Sequence, residues 1–334
     1  MKLKLLPLLA ALLFLLCGCK QEATPPETIE TTAPPITVGL CLPGRGVDWK
    51  AQAQAITAAL EAKDIVVRLE YGTEDVLLQQ SQVQSLLYMP VDCLVVGAYD
   101  PLTLCDLLKD TDVPVLAYDR MLRFSEGVSG FVGADYFDAG QQIATAALAK
   151  YQLDRPLTVE LFMGQPQNPN ALRFYEGVMS VLQPKLDSGE LKILSGRTMF
   201  EDVCFTGNGL EAARDLCFDY LSMEYEDTFP DILICGSDAL AEGCTQALKG
   251  MAFSPEDVWP VVTGLGYTEE GQLLLEEGQL IITAAVDTDA LVATCVEWAL
   301  ALLEGSPLPE NEPVFNGVTD VPSALLKMQL IISD

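Results

Sequence analysis

From Ile36 onward the chain alternates short β-branched runs with amphipathic stretches, and this alternation constrains its fold more than any other feature. ITVGLCL (36–42) reads as a strand, Asp48–Lys63 as a helix, DIVVRLEY (64–71) as a strand, and Thr73–Tyr88 as a helix capped by Thr73. DCLVVGA (92–98) follows, then a helix opened by Asp100 with Pro101 in its first turn, then VPVLAYD (113–119). A second series starts at Tyr136. Helices over 136–150, 171–182, 207–221, 239–250 and 269–277 alternate with strands LTVELFM, LKILSG, DILICG, PVVTGL and LIITAAV. Repeated βαβ units with right-handed crossovers build parallel sheets covered by helices on both faces, so two series predict two α/β lobes.

Histidine is absent, which excludes Ser-His-Asp and Cys-His nucleophiles, imidazole acid–base pairs and His-ligated metals. A net charge of −29 repels phosphate backbones, so nucleic acid is excluded as a partner. Cys41, Cys93, Cys105, Cys204, Cys217, Cys235, Cys244 and Cys295 show no CxxC spacing and mostly sit in apolar runs. They read as buried core thiols, disulfides being the minority alternative. Gly44-Arg45-Gly46 invites a dinucleotide fingerprint, but Trp49 stands where its third glycine belongs, so no cofactor is expected. No D-x-[DN]-x-[DN]-G run is present, and no metal site is expected.

The first residues carry a different message. Lys2 and Lys4 precede an apolar run, Leu5–Leu16, which is too short to span a bilayer and ends in Leu16-Cys17-Gly18-Cys19. This ending resembles the lipobox of bacterial lipoproteins, which implies a signal peptide over 1–19 and lipidation of Cys19. A plain signal peptide or short anchor are the alternatives. Residues 20–35, rich in Pro and Thr, read as a disordered tether.

In open α/β sheets ligands bind beyond the carboxyl ends of the strands. Those loops hold LPGRGVDW (42–49), GAYD (97–100), AYDR (117–120), MGQPQNPNALRF (163–174), GSDAL (236–240), TGLGYTE (263–269) and AAVDTD (284–289). Carboxylates, amides, a guanidinium and an indole suit a neutral polar ring.

ITVGLCLPGRGVDWK, VPVLAYDR, ADYFDAGQ, LFMGQPQNPNALRFYEGVMSVLQPKLDSGEL, LICGSDALAEG, PVVTGLG and AVDTDAL together resemble the sugar-binding proteins of bacterial ABC importers, in the xylose and multiple-monosaccharide branch. The resemblance runs from about Ile36 to the C-terminus. It implies the type I periplasmic binding protein fold, two Rossmann-like lobes joined by three crossover hinge segments near 135, 286 and 311. The first lobe would comprise 36–135 plus 287–311, with helix 288–304 returning to it, and the second 136–286 plus 312–334. Implied ligand contacts are Trp49, Asp119, Arg120, Tyr136, Asn170, Arg173, Asp238 and Asp287, with no catalytic residue. Five positions depart from the family pattern: Tyr136, Leu172 (with Arg173 one place later), Ser237 before Asp238, Gly266, and Val286 before Asp287. They point to a smaller or more apolar ligand, or to a weakened site. The implied role is a monomeric, lipid-anchored, non-enzymatic captor on the outer face of the cytoplasmic membrane, passing a saccharide to an ABC permease. A sensory subunit for a membrane kinase or chemoreceptor is the alternative.

Overall fold

The computed structural model describes residues 34–45, 47–152, 155–205, 209–225, 228–251, 258–309 and 312–333. The expected signal peptide with Cys19, and the tether as far as residue 33, lie outside the described residues.

The first series runs β1 (Thr37–Leu42), α1 (Val47–Glu61), β2 (Val66–Tyr71), α2 (Val76–Tyr88), β3 (Cys93–Val96), α3 (Cys105–Leu108), β4 (Val115–Tyr118) and β5 (Gly130–Ala134). The second runs α4 (Tyr136–Ala149), β6 (Leu157–Phe162), α5 (Pro169–Ser188), β7 (Leu191–Lys192), α6 (Gly209–Met223), β8 (Ile232–Cys235), α7 (Asp238–Gly250), β9 (Val261–Thr263), α8 (Glu269–Glu276) and β10 (Ile282–Ala285). The chain closes with α9 (Thr288–Glu304), β11 (Glu312–Phe315), β12 (Asp320–Leu326) and β13 (Gln329–Ile332).

Two sheets result. One has seven strands in the order β11-β12-β5-β4-β3-β1-β2, the other six in the order β13-β10-β9-β8-β6-β7. All pairs are parallel except β11 with β12 and β10 with β13. Each sheet is buried on both faces, as the nearly unbroken apolar runs of β1, β3, β4 and β8 require. Val38, Leu40 and Leu42 of β1 pack with Ile56 of α1 and Trp298 of α9, while Leu94 and Val96 of β3 pack on the opposite face with Val83 and Leu86 of α2. Helices α4 and α5 cover one face of the second sheet, α6 and α7 the other. The α4–α5 pair touches backbone to backbone: a Cβ on Gly140 or Gly177 would overlap the carbonyl of Phe174 or Phe137 on the facing helix.

The chain passes between lobes at Asp135, at Val286–Asp287 and at Lys327–Met328. The third passage corrects the expected crossover at 311. Strands β11 and β12 belong to the first sheet, Ser323 to Leu326 pairing with Phe131 to Ala134 of β5. The Asp135 N–H donates to the Leu326 carbonyl at 2.8 Å, binding the first crossover to the third. Strand β5, unread in the sequence, is a glycine-containing GFVGA run without a long β-branched stretch. Helix α2 is capped by Asp75, whose carboxylate accepts from Leu78 N at 2.9 Å, rather than by Thr73, which takes a left-handed backbone. The helix expected from Asp100 begins only at Cys105, after a turn in which Asp100 Oδ1 accepts from Leu102 N. All eight cysteines among the described residues are free, and six are buried.

Candidate functional site

Between the carboxyl ends of the two sheets lies a cleft of about 470 Å³, within the range that holds small organic ligands. Among the described residues five helices begin at its edge: Gly209 of α6, Tyr136 of α4, Asn170 of α5, Ala239 of α7 and Thr288 of α9 all line it. The last four starts are capped by side-chain acceptors, from Asp135, Asn168, Ser237 and Asp287 respectively, so the caps fix these first turns in place. Their aligned peptide dipoles turn positive ends toward the cleft.

The first lobe contributes Asp119 and Arg120. Strand β4 ends at Tyr118, and Asp119 then adopts a left-handed backbone at φ 62°, its N–H held by the Val132 carbonyl at 2.8 Å. Such a conformation is costly for a residue with a Cβ and is found where the surroundings impose it, often at ligand sites. Arg120 is anchored by Nη1, which donates to the carbonyls of Ala98 (3.3 Å) and Tyr99 (3.0 Å). Its Nε is buried without a hydrogen-bond partner and stands 3.8 Å from Asp119 Oδ2. Burial pushes the Asp119 carboxyl above its ordinary pKa, and the Arg120 charge offsets only part of this. An acceptor short of protons and a donor short of an acceptor therefore sit side by side.

The second lobe answers with amides. Pro169 opens α5, Asn168 Oδ1 accepts from Asn170 N at 3.1 Å, and Asn170 Nδ2 donates across the cleft to the Asp119 carbonyl at 3.2 Å. The Tyr136 phenol lies beside both residues. Burial raises its pKa, the Asp119 charge raises it further, and Arg120 and a hydrogen bond from Asn170 act in the opposite direction. It stays a neutral donor at physiological pH. Gln165, Asn168, Ser237 and Thr288 add further polar groups to the lining, and Leu240, Leu265, Val286 and Met328 add apolar ones.

The structure thus brings Asp119, Arg120, Tyr136 and Asn170 together at the cleft, and it places the other four residues implied by the resemblance outside its lining. Asp238 is fully buried. Its Oδ2 accepts from Thr268 N at 2.7 Å and its Oδ1 from Thr283 Oγ1 at 2.8 Å, inside a pocket so tight that a Cβ on Gly264 or Gly271 would overlap the carboxylate. Asp287 is exposed and spends Oδ1 capping α9 at Ala290 N. Arg173 pairs with Glu176 and lies over the Phe137 ring at 4.9 Å, away from the cleft lining. Trp49 packs partly buried against the first-lobe core. Gln165 and Asn168 were missed individually although their loop was marked, and Ser237 was singled out only as a departure from the family pattern; an amide or hydroxyl just before a helix is the signal available for Asn168 and Ser237. Among the described residues no group of three or more Cys, Asp or Glu is arranged to hold a metal ion.

Residues 38–307 match the family model described as "Periplasmic binding protein domain". The chain is 32% identical over 303 residues to the multiple sugar-binding periplasmic protein SbpA of Azospirillum brasilense, covering 87% of this chain and 84% of that one. It is likewise 32% identical to the multiple sugar-binding periplasmic receptor ChvE of Rhizobium radiobacter, over 87% of this chain and 85% of the relative. Among solved structures, an ABC transporter solute-binding protein of Clostridium phytofermentans with bound β-D-glucose superposes with a TM-score of 0.81 at 28% identity, over 89% of this chain and 94% of that one.

Proposed function

Since this chain belongs to the periplasmic binding protein family, we propose that it captures a neutral monosaccharide in the interlobe cleft and delivers it to an ABC permease. The observation that carries the reading is the pair formed by the unpartnered, buried Arg120 Nε and the desolvated Asp119 carboxylate. Vicinal sugar hydroxyls supply the acceptor and the donor that this pair lacks, and their opposite charges suit a ligand with no net charge. The relatives are named for sugar binding, and the similar solved structure holds a glucose, which supports the same ligand class.

Capture works by differential affinity. A ligand bonded to Asp119 and Arg120 on one lobe and to Gln165 and Asn170 on the other stabilises the closed arrangement over the open one, the three crossovers serving as hinges. The same groups bind without turning over: no nucleophile with an imidazole base exists in a chain lacking histidine. The first lobe comprises 36–135 plus 287–326 and the second 136–286 plus 327–334. Residues 1–19 act as a lipoprotein signal, with Cys19 lipidated and 20–35 tethering a monomeric captor outside the cytoplasmic membrane.

The test is thermal melting of the full-length chain against pentoses, hexoses, sugar alcohols, sugar acids and nucleosides. A ligand at a hundred times its Kd adds about 2.7 kcal/mol, a shift of a few degrees. A rise with a neutral sugar that Asp119→Ala abolishes is the expected result. A rise confined to nucleosides or sugar acids, or none at all, overturns the reading.

A further inference from the structure

We propose that Cys235 and Cys244 pair as a disulfide when the chain folds in the presence of a disulfide oxidant, tying down the turn that carries one rim of the cleft. Both thiols are free and fully buried in the structure. Cys235 ends β8 and Cys244 stands on α7, in one apolar cluster with Phe162, Leu233 and Leu248. The Cys235 thiol donates to Cys244 Sγ at 3.8 Å, so the two sulfurs touch. A bond needs roughly 2 Å, and the remaining gap is within the sweep of the two side-chain rotations. Gly243 lets α7 lie so near α6 that a Cβ there would overlap the Leu210 carbonyl. Cys217 of α6 is thereby the competing partner, its Sγ 4.0 Å from the Cys244 carbonyl. Cys235 and Cys244 are nine residues apart in the chain and Cys217 and Cys244 are 27, so the first pair meets at the lower loop-closure cost.

The bond would close a ring over residues 236–243. Gly236, Ser237, Ala239 and Leu240 of that ring line the cleft, and Asp238 holds Thr268 N and Thr283 Oγ1. Timing follows from burial. The thiolate is the form that attacks a disulfide, and burial raises the Cys244 thiol well above its ordinary pKa. Exchange therefore belongs to the folding chain, while the segment is still wet. One cysteine thiolate attacks oxidised glutathione and expels a glutathione thiolate, and the second cysteine thiolate then displaces the other glutathione. Cys235 and Cys244 together give up two electrons and two protons, and one oxidised glutathione becomes two reduced ones. Once the core closes, the bond is shielded from reductants as the thiols are from oxidants.

The full-length chain is unfolded and reduced, refolded in oxidised glutathione, capped with iodoacetamide in denaturant and cut after glutamate. Cleavage after Glu242 separates Cys235 from Cys244 unless they are bonded. The expected product is a linked Cys235–Cys244 peptide, absent when the oxidant is added only after refolding. The oxidised protein melts several degrees above the reduced one, and its amides over 236–243 exchange with deuterium severalfold more slowly. Cys235→Ala loses both gains. Two capped thiols after oxidative refolding overturn the proposal, as does a Cys217–Cys244 bond in place of the expected one. A melting gain that survives in Cys235→Ala overturns it as well, and linkage formed equally well in the prefolded protein overturns the coupling to folding.

Discussion

Asp119 is held where it is useful rather than where it is comfortable. Its carboxyl is more readily protonated in the folded chain than in the unfolded one because burial disfavours the charge. For a carboxyl with a raised folded-state pKa, the stability it contributes is greatest below the unfolded value and declines as pH rises through the raised one. Asp119→Asn removes that decline. The ligand-free variant should melt higher than the parent at about pH 8 and much like it at about pH 4, while its sugar affinity falls roughly tenfold to a hundredfold with the charged hydrogen bond. Differential scanning calorimetry at both pH values and titration calorimetry check the two halves. Asp238→Ala should do the reverse: with Thr268 N and Thr283 Oγ1 left unpaired it costs about 3 kcal/mol in urea unfolding and leaves sugar affinity within about threefold. The sequence showed both aspartates as acids at the ends of apolar strands, and it could not separate them. What distinguishes them is the direction of the side chain, set for Asp119 by its left-handed backbone and for Asp238 by two threonines far away in the chain.

At the level of elements, α9 is the piece that commits the returning chain to the first lobe. Trp298 is 1% exposed and packs in the same cluster as Leu40 of β1 and Leu116 of β4. Trp298→Ala should lower stability by about 3–5 kcal/mol, read from the shift in urea midpoint, by opening a cavity the sheet cannot close. Gly177→Ala should cost about 1–3 kcal/mol by the opposite mechanism, prising α5 from α4. Most helices and strands were legible because apolar periodicity and burial coincide in them. The C-terminal strands were not, although Asn316-Gly317 between apolar residues carried a hairpin signal. Asn316 makes that turn integral: its Oδ1 accepts from Val318 N and Thr319 N, and its Nδ2 donates to the carbonyls of Leu122 and Ser125. Pro313 and Pro322 within the two strands mask them in a propensity reading, and the pair is tolerated because β11 lies at the sheet edge.

Across the whole molecule, the lobes are joined by three strands of chain and by the Asn170–Asp119 bond. Small-angle scattering should show the radius of gyration fall when a saturating sugar is added, and Asn170→Ala should weaken binding without lowering the fully closed value. The place of β12 has a further consequence, in the order of assembly. It lies between β11 and β5, and its parallel partner in β5 was made almost two hundred residues earlier, Ser323 against Phe131. Parallel pairing over such a separation is slow, because loop closure must precede any gain from the contacts. A chain emerging from its N-terminus therefore holds β5 as a bare edge until residues 320–326 arrive, and a chain that breaks off before residue 320 keeps that edge open to aggregation or proteolysis. Completion of the first sheet thus waits on a segment made long after its neighbour, and any premature stop ahead of that segment leaves the sheet unfinished.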